Sequence, residues 1–258
     1  MASFYKRYLA GEREAVWAEL SQFGLDVRSK QLHADVRDVA KVIVDRAFHN
    51  LSLLHHRLVE LGYQFDDPEA ALVESTEEAT RLLDDAEQSL GAFPVILRAW
   101  YERVASVNFS QARRQLYGEL GEEPAEPASV TGLGLNVVLD YLSIPKCMEL
   151  RRSLLEEEQD DPEQEGASWL SDLFPTGGWA SNCNPKGIHL PNQGFDGVLF
   201  NEGLGDVYFV QELRTAFSWG GFPFWKISLS RKRFVSPLRK SPDFARLFPI
   251  LADGLLPL

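Results

Sequence analysis

The chain reads as an α+β protein in which N-terminal helices pack on or beside a mixed or antiparallel sheet with flanking helices. Three observations predict this class. Apolar residues recur every three or four positions through roughly the first hundred residues. Short β-branched and aromatic runs, separated by glycine, asparagine and proline, dominate much of the C-terminal half. The two patterns come in blocks rather than in strict alternation, which is the α+β order. At 258 residues the chain can bury a sizeable core, and it divides into a helical region at 1–70 and an α+β domain at 71–258, with one continuous unit as the alternative.

Residues 12–23, EREAVWAELSQF, bring Val16, Leu20 and Phe23 to helical spacing with Trp17 beside them, and Gly24 supplies a stop. From Asp35 to Leu61 the positions Val36, Val39, Ile43, Ala47, Leu51, Leu54, Leu58 and Leu61 repeat at helical spacing before Gly62, which predicts one helix about 40 Å long. Ser75 and Glu78 have capping-box spacing at the head of STEEATRLLDDAEQSLG, and Gly91 stands where a left-handed C-cap belongs. In FPVILRAWYERV, Pro94 suits a first helical turn, where its missing N–H would be unbonded. Leu97, Trp100, Tyr101 and Val104 give that helix an apolar face, and SVNF then enters a strand.

The segment ELGEEPAEPASVTG, 119–132, reads as a surface loop, and LNVVLDYL has the β-branched density of a strand. SIPKCMELRRSLLEEEQ resumes helix, with Ser143 as cap and Pro145 in the first turn, and it ends in EEEQDDPEQEG, an acidic run that must be solvated. A meander comes next, with turns at NCNPKG and GFDG and strands at IHLP and VLF. DVYFVQELRTAFSW returns to helix, with Asp206 as its N-cap and Phe209, Val210, Leu213 and Phe217 on one side. Just past it, FSWGGFPFW concentrates five aromatic rings. Gly220 and Gly221 fall where a left-handed residue ends a helix, and Phe222 where an apolar side chain folds back, so the stretch reads as a capped helix end at the core edge rather than a ring platform for a ligand.

Charge narrows the function. The formal net charge is −12, and residues 222–258 carry seven basic and two acidic side chains, leaving −17 for the rest. Such a bulk repels phosphate backbones, which argues against direct nucleic-acid binding, and suits a cationic protein partner. The start, MASFYKRYLAGERE, lacks an apolar core of signal-peptide length, and no apolar run is long enough for a membrane helix. A cytoplasmic protein without membrane contact is expected. Cys147 and Cys183 lie in dissimilar contexts and read as reduced thiols, not as a disulfide framework.

No phosphate loop, nucleophile elbow, zinc-helix histidine pair or paired-cysteine metal site is present, so neither a cofactor nor a metal is expected. GLG at 132–134 lacks the rest of a dinucleotide fingerprint. His55 and His56 are adjacent on one helix and point in different directions. Cys183 and His189 lie close enough in sequence to form a thiolate pair, and Trp179, Asn182, Cys183 and His189, with Asp196 or Glu202 as acid or base, make up the enzyme alternative. The acidic run, Glu156, Glu157, Glu158, Asp160 and Asp161, lacks the ligand spacing of a calcium loop; it is either a solvated linker or an electrostatic docking surface for a basic partner.

Three segments, FPVILRAWYERVASVNF, YFVQELRTAFSWGGFP and LADGLLPL, together resemble a group of uncharacterised bacterial proteins that look like distant relatives of the SUKH superfamily. Phe93–Pro94 stands for the superfamily's leucine–proline pair, and Ala105 stands where its glycine would be. The resemblance spans most of 1–109 and 205–258. It implies an α+β binding scaffold, most often an immunity protein that neutralises a cognate toxin in competition between bacteria, and it carries over no catalytic residue. Beside this expectation stand the enzyme alternative and a regulatory module in which the long helix mediates association.

Overall fold

The periodic apolar stripes become the helices they predict. The computed structural model of the chain describes residues 3–110, 140–160, 172–177, 186–200, 207–221 and 242–258. Helix α1 is Phe4–Leu9, α2 is Arg13–Gln22, and α3 is His33–Glu60, with a 3-10 turn at Gly24–Arg28 between the last two. Seven of the eight stripe positions, Val36, Val39, Ile43, Ala47, Leu51, Leu54 and Leu58, are buried on α3. Leu61 is its C-cap. Helix α5 (Val95–Arg103) lies along α3 and buries Leu97, Trp100 and Tyr101.

Helix α1 is an element that periodicity misses, because six residues are too few to show a repeat or to stand alone in water. It is held from outside. Asp35 of α3 accepts hydrogen bonds from the Ser3 hydroxyl and from Phe4 and Tyr5 N–H, which are otherwise unbonded donors of the first turn. Helix α4 (Glu77–Leu90) starts one residue later than its capping-box spacing suggests. Thr76, in extended backbone, accepts the Ala79 N–H, while Ser75 points away and donates to the Tyr101 carbonyl at 2.7 Å.

Two antiparallel sheets accompany the helices. The first has the order β1 (Leu72–Glu74), β2 (Val104–Asn108), β3 (Asp140–Tyr141). The second is a meander of β4 (Leu173–Gly177), β5 (Lys186–His189), β6 (Val198–Phe200) and β7 (Val207–Tyr208). Strand β4 is buried along its whole length, so it lacks the alternation that marks a half-exposed strand. Lys186 and Gly187, expected in the NCNPKG turn, pair in β5, and Val207–Tyr208, expected in the following helix, pair with β6. The loop expected at 119–132, Asp206, Phe222 and the GLG fragment lie outside the described residues.

Helix α6 is Ile144–Asp160, α7 is Phe209–Ser218 and α8 is Pro242–Ala252. One apolar cluster runs from Phe4 to Leu258. Within it Trp100 of α5, Tyr141 of β3 and Phe209 of α7 meet edge-on with ring centroids 5.2–5.4 Å apart, joining the first sheet to two helices. Gly220 and Gly221 have φ of +63° and +91° and end α7 as the FSWGG stretch predicts. The segment after α8 runs beside α3, where buried Asn50 donates to the Leu256 carbonyl at 2.8 Å and accepts from its N–H at 2.7 Å, as a strand neighbour would.

Candidate functional site

Helical backbone hydrogen bonds close whatever the side-chain charge, and glutamate and glutamine are good helix formers. Accordingly α6 carries Glu156, Glu157, Glu158 and Asp160 in its last turns, where the helix expected at SIPKCMELRRSLLEEEQ runs into the acidic run. Glu156 is exposed, and Asp161 lies outside the described residues. Helix α6 packs against α4, whose exposed residues include Glu77, Glu78, Asp84 and Asp85, with Arg81 as its only base. The acidic run therefore belongs to a two-helix unit that is itself acidic.

Of the residues of the enzyme alternative the structure describes His189 and Asp196. Trp179, Asn182, Cys183 and Glu202 lie outside the described residues. His189 ends β5 and is exposed, with the Phe200 ring centroid 6.3 Å from its own. Asp196 is buried, and its carboxylate accepts from Trp17 Nε1 at 2.8 Å, Gly197 N–H at 2.8 Å and Val210 N–H at 3.3 Å. Burial pushes its pKa up to about 6, while those donors and the Arg214 charge pull it back.

Asp196 is thus a structural connector within the turn 192–197. Pro94 has no side-chain acceptor for the head of α5, and the Gly194 and Phe195 carbonyls take the Val95 and Ile96 N–H groups at 3.0 Å. At the head of α7 the Gly197 carbonyl takes the Phe209 N–H at 3.0 Å and Asp196 takes the next. One turn therefore caps two helices and ties α2 to them through Trp17. A Cβ at Gly197 would lie 2.3 Å from Ile188 Cδ1 and 2.8 Å from Pro94 Cγ, so the packing leaves no room for a side chain there.

A polar group that sequence reasoning missed lies between the sheets. Lys186 Nζ is 3.3 Å from Glu212 Oε1 and 4.0 Å from the Tyr141 ring centroid, and the Tyr141 hydroxyl donates to Glu212 Oε2. Thr176 Oγ1 donates to the Lys186 carbonyl at 3.3 Å. The ammonium and the carboxylate pair away from water, which holds β3, β5 and α7 in register, because separating such a pair leaves a buried charge. The only signal in the sequence is a lysine beside a glycine, which a turn explains equally well.

Other titratable groups are similarly engaged. Cys147 is buried with its sulfur 3.6 Å from the Tyr101 hydroxyl, and burial pushes the thiol up to about 12, far from a reactive thiolate. His55 stacks on Phe65 at 5.0 Å, and burial lowers its pKa. Exposed His56 pairs with Glu60 at 3.2 Å. An open groove of about 580 Å³ runs between α3 and α5 over small residues such as Ala40, Val44 and Ala99, with both signs of charge on its walls. Arg98 there is held by Asp84, Glu87 and Glu102. Among the described residues no three histidine, cysteine, aspartate or glutamate side chains are grouped to hold a metal, and no helix is long and apolar enough to cross a membrane.

No family model matches the chain, and neither a curated protein nor a solved structure matches it.

Proposed function

We propose that the chain is an immunity-type binding protein that neutralises a basic toxin domain by direct contact. The observation that carries this reading is the packing of two acidic helices, α4 and α6, which sets Glu77, Glu78, Asp84 and Asp85 on the helix next to the one bearing the 156–160 run. The unit keeps a net negative charge although Arg81 pairs with Glu78, Arg98 pairs with Asp84 and α6 also carries Lys146, Arg151 and Arg152. Net charge of one sign attracts a cationic partner over about 10 Å and raises its encounter rate without needing a catalytic group. The engagement of Asp196, Cys147 and the Lys186–Glu212 pair in the scaffold supports a binding role over a catalytic one.

The test is co-expression with the candidate toxin domains encoded by adjacent genes, reading protection and complex formation. Protection by a stable complex supports the proposal, and the absence of both with every candidate overturns it. With a toxin so identified, neutralising Glu156, Glu157, Glu158, Asp160 and Asp161 together slows association and flattens its salt dependence. An unchanged rate and salt slope would remove this surface from the interface.

A further inference from the structure

One row of side chains on α3 holds a neighbouring segment by its main chain. Arg46, Asn50 and Arg57 stand at i, i+4 and i+11 and so share a face of the helix. Arg57 Nη1 donates to the Leu251 carbonyl at 3.0 Å and to that of Asp253. Fully buried Asn50 pairs with both the N–H and the carbonyl of Leu256, and Arg46 Nη1 donates to the Pro257 carbonyl at 2.8 Å. The segment 253–258 therefore runs antiparallel to α3 and is bound through its backbone, as an added strand is.

This row reads little of the segment's own sequence. Arg57 reaches the Asp253 carboxylate only at 3.9 Å, and that side chain is 86% exposed. Leu256 and Pro257 are exposed, whereas Leu258 is buried and Leu255 packs in part against the core. Exposed Gly254, with φ of +65°, joins α8 to the segment as a hinge. A few backbone hydrogen bonds and one buried leucine work against the entropy of ordering the segment, so it opens far more readily than the core of α3. Opening leaves Asn50 without those partners, a cost that any other extended backbone in the same place removes.

We propose that the Arg46–Asn50–Arg57 face of α3 is a peptide-docking site that residues 255–258 occupy in cis as a strap. In exchange for the strap it takes an extended peptide with an apolar side chain two residues beyond the one paired with Asn50, the spacing of Leu256 and Leu258. Backbone bonds supply the affinity and the apolar anchor the selectivity. This inference stands independently of the toxin-binding reading and of the acidic helices.

The experiment uses the full chain and a synthetic peptide, GLLPL, labelled at its N-terminus and amidated at its C-terminus so that it offers backbone and no free carboxylate. In hydrogen exchange of the wild type, the Leu256 amide exchanges at least about 100-fold faster than the Ile43 amide, with little dependence on urea. In fluorescence anisotropy the peptide binds the wild type weakly, because the strap competes at high effective concentration. Leu258→Asp removes the anchor of that competitor and tightens peptide binding about tenfold or more, whereas Asn50→Ala weakens it by a similar factor. The peptide GLLPD does not bind. The inference is overturned if the Leu256 amide exchanges only with the core, or if Leu258→Asp fails to fold or folds without taking up the peptide. Either result makes 255–258 a fixed part of the fold.

Discussion

Helices α4 and α7 begin in different ways. The head of α4 is capped by its own neighbour, since the Thr76 hydroxyl accepts the Ala79 N–H at 3.2 Å. The head of α7 is capped by the Asp196 carboxylate and the Gly197 carbonyl from the turn just before β6. Helix α5 depends on the same turn through Gly194 and Phe195, about a hundred residues further along the chain. A local cap is available as soon as the helix forms, whereas a remote one exists only once the sheet has brought the turn into place. The 192–197 turn therefore couples the helical layer to the second sheet, and α5 and α7 should lose stability together when it or their contact is damaged.

The largest test removes that contact. Trp100→Ala deletes the ring that joins α5 to β3 and α7, and it should cost about 3–5 kcal/mol in urea-induced unfolding. An unchanged midpoint would mean that the two helices are stabilised independently.

Next comes a direct comparison of the caps. Asp196→Ala leaves Trp17 Nε1 and two backbone N–H groups without an acceptor, an expected loss of about 2–4 kcal/mol. Thr76→Ala should cost about 1 kcal/mol. Equal losses by chemical denaturation would erase the distinction between remote and local capping.

Asp196 also adds a pH dependence of known sign. Its native pKa of about 6 lies above the ordinary 3.8, so the folded state holds the proton more tightly. Its contribution is fully present below about pH 4 and is lost as pH rises through 6, on the order of 2–3 kcal/mol in total. Unfolding free energies at pH 4 and pH 7 should show the wild type losing ground to Asp196→Asn as pH rises. A difference that is flat or rises with pH contradicts the burial-driven shift.

A smaller effect is expected at the far end of α7. Gly221 has a left-handed φ, and a Cβ there would sit 3.0 Å from Leu54 Cδ1, so Gly221→Ala should cost about 1–2 kcal/mol. A midpoint equal to that of the wild type would show that Leu54 and the backbone yield freely. The smallest belongs to the acidic run: with Glu156 exposed at the end of α6, neutralising all five carboxylates should change folding stability by less than about 0.5 kcal/mol. A larger loss would make the run part of the scaffold.

By itself the sequence determined what depends on neighbours within a turn or two. The α3 stripe, the α5 face with Trp100, and the glycine corner after α7 all follow from spacing, because an i to i+4 pattern decides which side of a helix can leave water. It also determined the acidic balance on which the proposed partner rests. Only the tertiary structure decided the rest: α1, held by Asp35; β4, buried on both faces; the capping of α5 and α7 by the 192–197 turn; and the Lys186–Glu212 pair. Each of these joins residues far apart in the chain. Such pairings are selected by loop closure and by burying every polar group with a partner, and no local period in the residues themselves records that outcome.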